Sequence, residues 1–156
     1  MYLLIGVWGS GRKEYAAMKL TLMLMGGSAF LLIGILGIFY GAGGETMNLL
    51  EIAKLHIPHE MQRIFFPLIF LGFGVLGALF PFHTWSPDGH ASAPTAVSML
   101  HAGVLMKLGG YGCFRVAMYL MPEGAAMWGD VFLILTTISV VYGAFSACVQ
   151  TDLKYI

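Results

Sequence analysis

Phe80-Pro81-Phe82-His83-Thr84-Trp85-Ser86-Pro87-Asp88-Gly89-His90-Ala91-Ser92-Ala93-Pro94-Thr95 interrupts an otherwise greasy chain with three prolines and two histidines. Proline removes a backbone donor and clashes with the preceding turn, so Pro81, Pro87 and Pro94 together predict a break in any helix that enters here. Upstream, Ile64 to Leu79 is apolar apart from glycines. Downstream, Ala96 to Leu120 is apolar except for a few polar residues that include His101, Lys107 and Arg115.

The composition is 58% hydrophobic and 10% charged, with 8 basic and 8 acidic side chains and a mean hydropathy of +0.81. A soluble domain carries roughly 25% charged residues. Such a chain belongs in a bilayer, where helices or a closed barrel satisfy backbone polar groups internally. No strand-length alternation occurs, and Leu, Met, Ala and Gly dominate the apolar runs. The expected fold class is therefore all-α, a transmembrane helix bundle with one discontinuous helix. A formal net charge of +0 gives no argument for nucleic acid, and the lipid bilayer is the expected environment. The two cysteines, Cys113 and Cys148, sit inside apolar runs and read as packing residues rather than as a disulfide or metal pair.

Residues 1–8 read as the end of a membrane helix, with no basic run in front that would mark a signal peptide. The first full span is expected over 16–40, where Gly26, Gly27, Gly34, Gly37 and Gly41 offer close helix packing and Lys19 snorkels to the interface. Residues 41–63 form a polar connection, with a short surface helix within 47–55 ended by Pro58. His56 and His59 flank Pro58, which spoils a helical metal-binding pair. The broken helix is expected over 64–90. Its first part, loosened by Gly72, Gly74 and Gly77, is about 24 Å long if helical, less than the ~30 Å hydrocarbon core. A short, glycine-interrupted segment points to a discontinuous helix whose ends hold ions or water at membrane depth; the plainer alternative is an ordinary helix followed by a surface loop. Further spans are expected over 94–120 and 128–150, with 151–156 beginning another, so the chain reads as an internal piece of one longer membrane domain.

Lys107 lies deep inside its span, where a charge is expensive and must face a bundle interior or a water-filled cavity. A desolvated lysine loads and releases a proton. In a regular helix His101, six residues earlier, sits about 9 Å and ~120° away, too far for a direct hydrogen bond but within reach of a water. It reads either as a proton relay or as a packed neutral histidine. Thr136, Thr137, Ser139 and Ser146 in the last span are expected to bond back to their own helix. The balance of basic residues places the Arg12 loop in the cytoplasm, together with Lys154 and the Asp88 turn. Asp88, His90, Asp152 and Lys154 are then candidates for proton entry on the cytoplasmic side.

Phe80-Pro81-Phe82-His83-Thr84-Trp85-Ser86-Pro87-Asp88-Gly89-His90, then Ala93-Pro94-Thr95, Ser98, the run from Ala102 to Gly112 with Lys107 at its centre, Arg115, and finally Gln150-Thr151-Asp152-Leu153-Lys154, resemble the antiporter-like M-type subunits of respiratory complex I. The resemblance implies a part of an inverted-repeat fold of roughly fourteen membrane helices, embedded in the bacterial inner membrane beside other antiporter-like subunits. It implies a chain that moves protons without redox chemistry of its own, while partner subunits carry NADH, FMN, iron-sulfur clusters and quinone. Lys107 matches the central lysine of that family. The family also carries a lysine, and a proline two residues later, where this sequence has Leu76 and Ala78, so its usual ion pair is missing and His83 or water is expected to load the proton. A subunit of a multisubunit cation/proton antiporter or of a membrane-bound hydrogenase, and a structural subunit without a proton path, are the alternatives.

Overall fold

The computed structural model describes residues 1–156 apart from 56, 153 and 156. The described elements are helical: α1 (Tyr2–Trp8), α2 (Lys13–Gly41), α3 (Leu49–Ile52), α4 (His59–Leu76), α5 (Trp85–Ser92) and α8 (Pro122–Val149). Between α5 and α8 runs a rod of α6 (Thr95–Leu100), a π-helical turn (His101–Leu105), α7 (Met106–Gly112) and a second π-helical turn (Cys113–Met118). At 29 and 28 residues, α2 and α8 are each roughly 42 Å long and sufficient to cross a bilayer.

α2 and α4 pack antiparallel through a face of small residues. A Cβ at Gly27, Gly34, Gly37 or Gly41 would run into Val75, Ile69, Phe65 or Met61 respectively. Four of the five glycines foreseen as packing residues thus meet a helix of the same chain, bringing backbones close where lipid supplies no hydrophobic drive, while Gly26 faces open space. We expect Gly34→Val to cost about 1–3 kcal/mol by overpacking, read as a lower unfolding midpoint in detergent. An unchanged midpoint would contradict this packing.

Several boundaries differ from those expected. α4 begins at His59 rather than near residue 64 and has 18 residues, about 27 Å, longer than expected and still somewhat short of the ~30 Å hydrocarbon core. It runs through Pro67, whose missing N–H frees the Arg63 carbonyl four residues earlier. Trp128 Nε1 of α8 donates to that carbonyl at 3.1 Å. α8 begins at Pro122, not near 128, because proline suits the first helical position, where its N–H is not needed. At the chain's end residues 153 and 156 lie outside the described ones, and Tyr155 N donates to Asp152 O at 3.0 Å in a turn.

Two apolar clusters hold the bundle. One joins α2, α3, α4 and α8 around Ile38, Ile52, Phe66, Ile69 and Phe132; the other gathers Ile5, Ala17, Leu20, Trp85, Ala93 and Val97. Between them lies the break.

Candidate functional site

α4 stops before the first proline of the motif. Ala78 N donates to Val75 O at 3.2 Å and Leu79 N to Gly74 O at 2.7 Å, with Ala78 in the left-handed region at φ 59°. This is the pairing of a Schellman ending, which satisfies helix carbonyls that would otherwise be orphaned at membrane depth. A proline at 78, with φ held near −65°, could not adopt that backbone. The break is therefore built by Gly77, Ala78 and Leu79. Pro87 does not break a helix: it sits in the first turn of α5, where its missing donor costs nothing, and Pro94 caps α6. Asp88 consequently lies in a helix rather than in a turn.

Trp85, fully buried, docks the restarted helix. Its Nε1 donates to Val75 O at 3.1 Å, so one side chain ties the start of α5 to the last turn of α4. The rod approaches equally closely. A Cβ at Gly109 would stand 2.8 Å from both Gly77 Cα and Phe73 O, which places Lys107 beside the break.

Lys107 borders a cleft of about 420 Å³ whose walls are Phe73, Gly74, Gly77 and Ala78 of the break, Met106 and Gly110 of the rod, and Thr136 and Ser139 of α8. The side chain is exposed, so this chain's own helices do not enclose it, contrary to the expectation of burial. It stands at the open rim. On the other side of the break His83 lines a second cleft, of about 480 Å³, with Thr84, Tyr142, Ser146 and Gln150. Ala78 and Ser139 are common to both. Ser139 Oγ accepts from Phe80 N at 3.4 Å, whereas Thr136 and Thr137 donate to carbonyls of their own helix as expected. His83 stacks on Phe80 with ring centroids 5.6 Å apart and meets the edge of Tyr142 at 5.0 Å. Its Nδ1 is buried without a partner among the described residues.

His101 lies elsewhere. It is fully buried and stacks with the rings of Trp85 at 5.1 Å and His90 at 4.4 Å. The ~120° offset from Lys107 assumed a regular helix, and residues 101–105 form a π turn instead, of a kind frequent at functional sites. The two residues remain apart, as expected, with His101 facing α5 and Lys107 facing α4 and α8.

The candidate entry group divides. Asp88 and Asp152 line a cleft of about 470 Å³ with Ser10, Arg12 and Tyr15. Lys154 Nζ donates to Ala93 O at 3.3 Å, while His90 Nδ1 lies 2.8 Å from Ser98 Oγ. Lys19, expected to snorkel, instead pairs with Asp88 at 2.7 Å and pins α5 to α2. His59 pairs with Glu123 at 2.9 Å at the opposite end of the bundle, and His56, the other histidine flanking Pro58, lies outside the described residues. Among the described residues no group of three or more His, Cys, Asp or Glu is placed to hold a metal ion. Ser139, Tyr142 and Trp85 were not foreseen as site residues. The first two could have been read from Ser139, Tyr142, Gly143 and Ser146, which share one helical face.

The family model described as NADH:quinone oxidoreductase/Mrp antiporter, TM, matches residues 1–156. The chain is 41% identical over 155 residues to NAD(P)H-quinone oxidoreductase chain 4 3 of Picosynechococcus sp., covering 99% of this chain and 28% of that protein. It is 40% identical over 155 residues to the chloroplastic NAD(P)H-quinone oxidoreductase chain 4 of Citrus sinensis, covering 99% and 31%. It matches a chain of respiratory complex I from Thermus thermophilus with bound NADH at a TM-score of 0.89 and 29% identity, covering 99% of this chain and 33% of that one. A chain of the membrane-bound sulfane sulfur reductase, an archaeal respiratory membrane complex, matches at 0.88 and 28% identity, covering 99% and 32%. The chain thus spans about three tenths of the length of the curated relatives it matches.

Proposed function

This chain belongs to the NADH:quinone oxidoreductase/Mrp antiporter membrane family, and on that premise we propose that it forms the central proton-handling part of a membrane subunit of an NAD(P)H:quinone oxidoreductase. Electron transfer from nicotinamide through flavin and iron-sulfur clusters to quinone runs in partner subunits, and this part relays protons. The observation that carries the reading is the placement of Lys107 at the rim of a cleft opening on a break in the neighbouring helix. A lysine there exchanges a proton with water, and the helix ends beside it offer polar backbone at membrane depth. Ser139 and Ala78 separate this water space from that of His83. One ordered water column past Ser139 Oγ then joins the amine to the imidazole.

In this reading His83 loads the proton that the family's missing lysine, here Leu76, does not carry. Asp88 and Asp152 form the mouth on the cytoplasmic side. Because a charge facing lipid is unfavourable, a further membrane segment covers the open side of the Lys107 cleft in the assembly. Replacing His83 by Ala in the intact complex is expected to lower the number of protons pumped per electron while quinone reduction continues. An unchanged ratio would remove His83 from the path.

The sulfane sulfur reductase match, nearly equal in TM-score, favours one second reading, the same relay driven by a different redox partner. Co-purification of the assembled complex discriminates between them. Quinone-site subunits support the first reading, and a sulfur-reducing or hydrogenase module supports the second.

A further inference from the structure

On the reading above, in which His83 loads the proton, we infer that Tyr142 of α8 is the positioning residue that holds the His83 imidazole at the divide between the two clefts. The rings of Phe80, His83 and Tyr142 meet pairwise. Phe80 stacks on His83 with centroids 5.6 Å apart and 25° between the planes, Tyr142 meets His83 at 5.0 Å and 68°, and Tyr142 lies 5.8 Å from Phe80. Phe80 and His83 belong to one short segment of turns, in which Phe82 N donates to Leu79 O at 2.7 Å. Their stacking therefore orients the imidazole only relative to its own segment. Tyr142 comes from a different helix, and its contact fixes the ring relative to the cleft walls.

α8 grips the break at two points. Ser139 and Tyr142, three residues apart, are neighbours on one helical face. Ser139 Oγ accepts from Phe80 N at 3.4 Å and fixes the backbone of the segment; Tyr142 fixes its titratable side chain. Without that second contact the imidazole has room to swing, because it borders a cleft of about 480 Å³ lined also by Thr84, Pro87, Ser146 and Gln150. Turned into that space, it would leave Ala78 and Ser139, the two residues shared with the Lys107 cleft.

Orientation matters because the ring stands between an entry and a destination. Tyr155 is common to the His83 cleft and to the mouth lined by Asp88 and Asp152, so those two spaces adjoin on one side, and Ala78 and Ser139 join the His83 cleft to that of Lys107 on the other. His83 Nδ1 is buried while the ring as a whole borders the cleft. The two nitrogens thus have unlike surroundings, and the setting of the ring decides which of them meets water. In loading, an O–H bond of a hydronium ion breaks and an N–H bond forms on His83. On release that N–H bond breaks and an O–H bond forms on the next water, with no other bond changed. Tyr142 exchanges no proton in this scheme, and its ring rather than its hydroxyl does the positioning.

The test uses the full-length subunit in its complex, reconstituted in liposomes, with isotope-labelled histidine and the tautomer-sensitive infrared bands of His83 identified by their absence in H83A. Tyr142 is 49% exposed, so Y142F, Y142L and Y142M should all leave the bundle folded, which the unfolding midpoint in detergent checks. Y142F keeps the ring and should pump as the native complex does, with unchanged His83 bands. Y142L and Y142M keep apolar bulk without a ring. They should lower the protons pumped per electron towards the H83A value and turn one His83 band set into a mixture of both tautomers. Full pumping or unchanged bands in these two variants would overturn the proposal, and so would an equal loss in Y142F, which would assign the role to the hydroxyl. If H83A itself pumps normally, the relay reading at His83 fails, and the bands of Y142L still decide whether Tyr142 holds the ring.

Discussion

Lys107→Ala in the assembled complex is expected to abolish the proposed proton pumping through this subunit, while electron transfer measured in uncoupled membranes continues. A lysine at the centre of a membrane helix costs about 2.5–3.5 kcal/mol on insertion scales, so removing it is not expected to weaken the fold. Loss of pumping can then be assigned to the amine. Lys107→Arg sharpens the result, because a guanidinium keeps the charge but does not release its proton. Pumping should vanish in both variants. Retention in the arginine variant alone would mean that the cleft needs a fixed charge and not a titrating one.

The second large effect is at Trp85. Truncating a buried tryptophan to alanine costs about 3–5 kcal/mol. Trp85→Ala also removes one of the two hydrogen bonds to Val75 O and the flat surface beneath His101. α5 would then be joined to α4 by the backbone of residues 77–84 and to α2 by the Lys19–Asp88 pair and the contact of Gly89 with Leu20. We expect a sharply lower unfolding midpoint and loss of pumping. Trp85→Phe, which keeps a ring but no donor, should recover most of the stability. Equal losses in the two variants would show that the indole hydrogen bond outweighs the packing.

The broken helix was legible in the sequence, but its cause was not. Three prolines drew attention to 81–94, whereas α4 ends at Leu76 with Ala78 in a left-handed conformation, a backbone state that no side chain of alanine advertises. Pro87 and Pro94 mark helix starts, and proline alone does not distinguish a start from a stop. Pro67 passed through α4 because Trp128, far along the chain, supplies the lost donor to Arg63. The π turns at 101–105 and 113–118 carry no proline, and the glycine in the first, Gly103, does not set it apart from the neighbouring glycines of α7; both turns alter every facing computed from a regular helix. Lys107 and His101 could be singled out because polarity inside an apolar run is conspicuous. Ser139 was read as bonded to its own helix, because its partner, the Phe80 amide, exists only once the break is folded.

The proposed proton path depends on water standing between Lys107 and His83. A density map of the complete assembly, resolved well enough to place ordered solvent, tests this most directly. We expect waters running from Lys107 Nζ past Ser139 Oγ to His83 Nδ1. Lipid tails packed against Lys107, or side chains closing the gap between Ala78 and Ser139 without solvent, would contradict it.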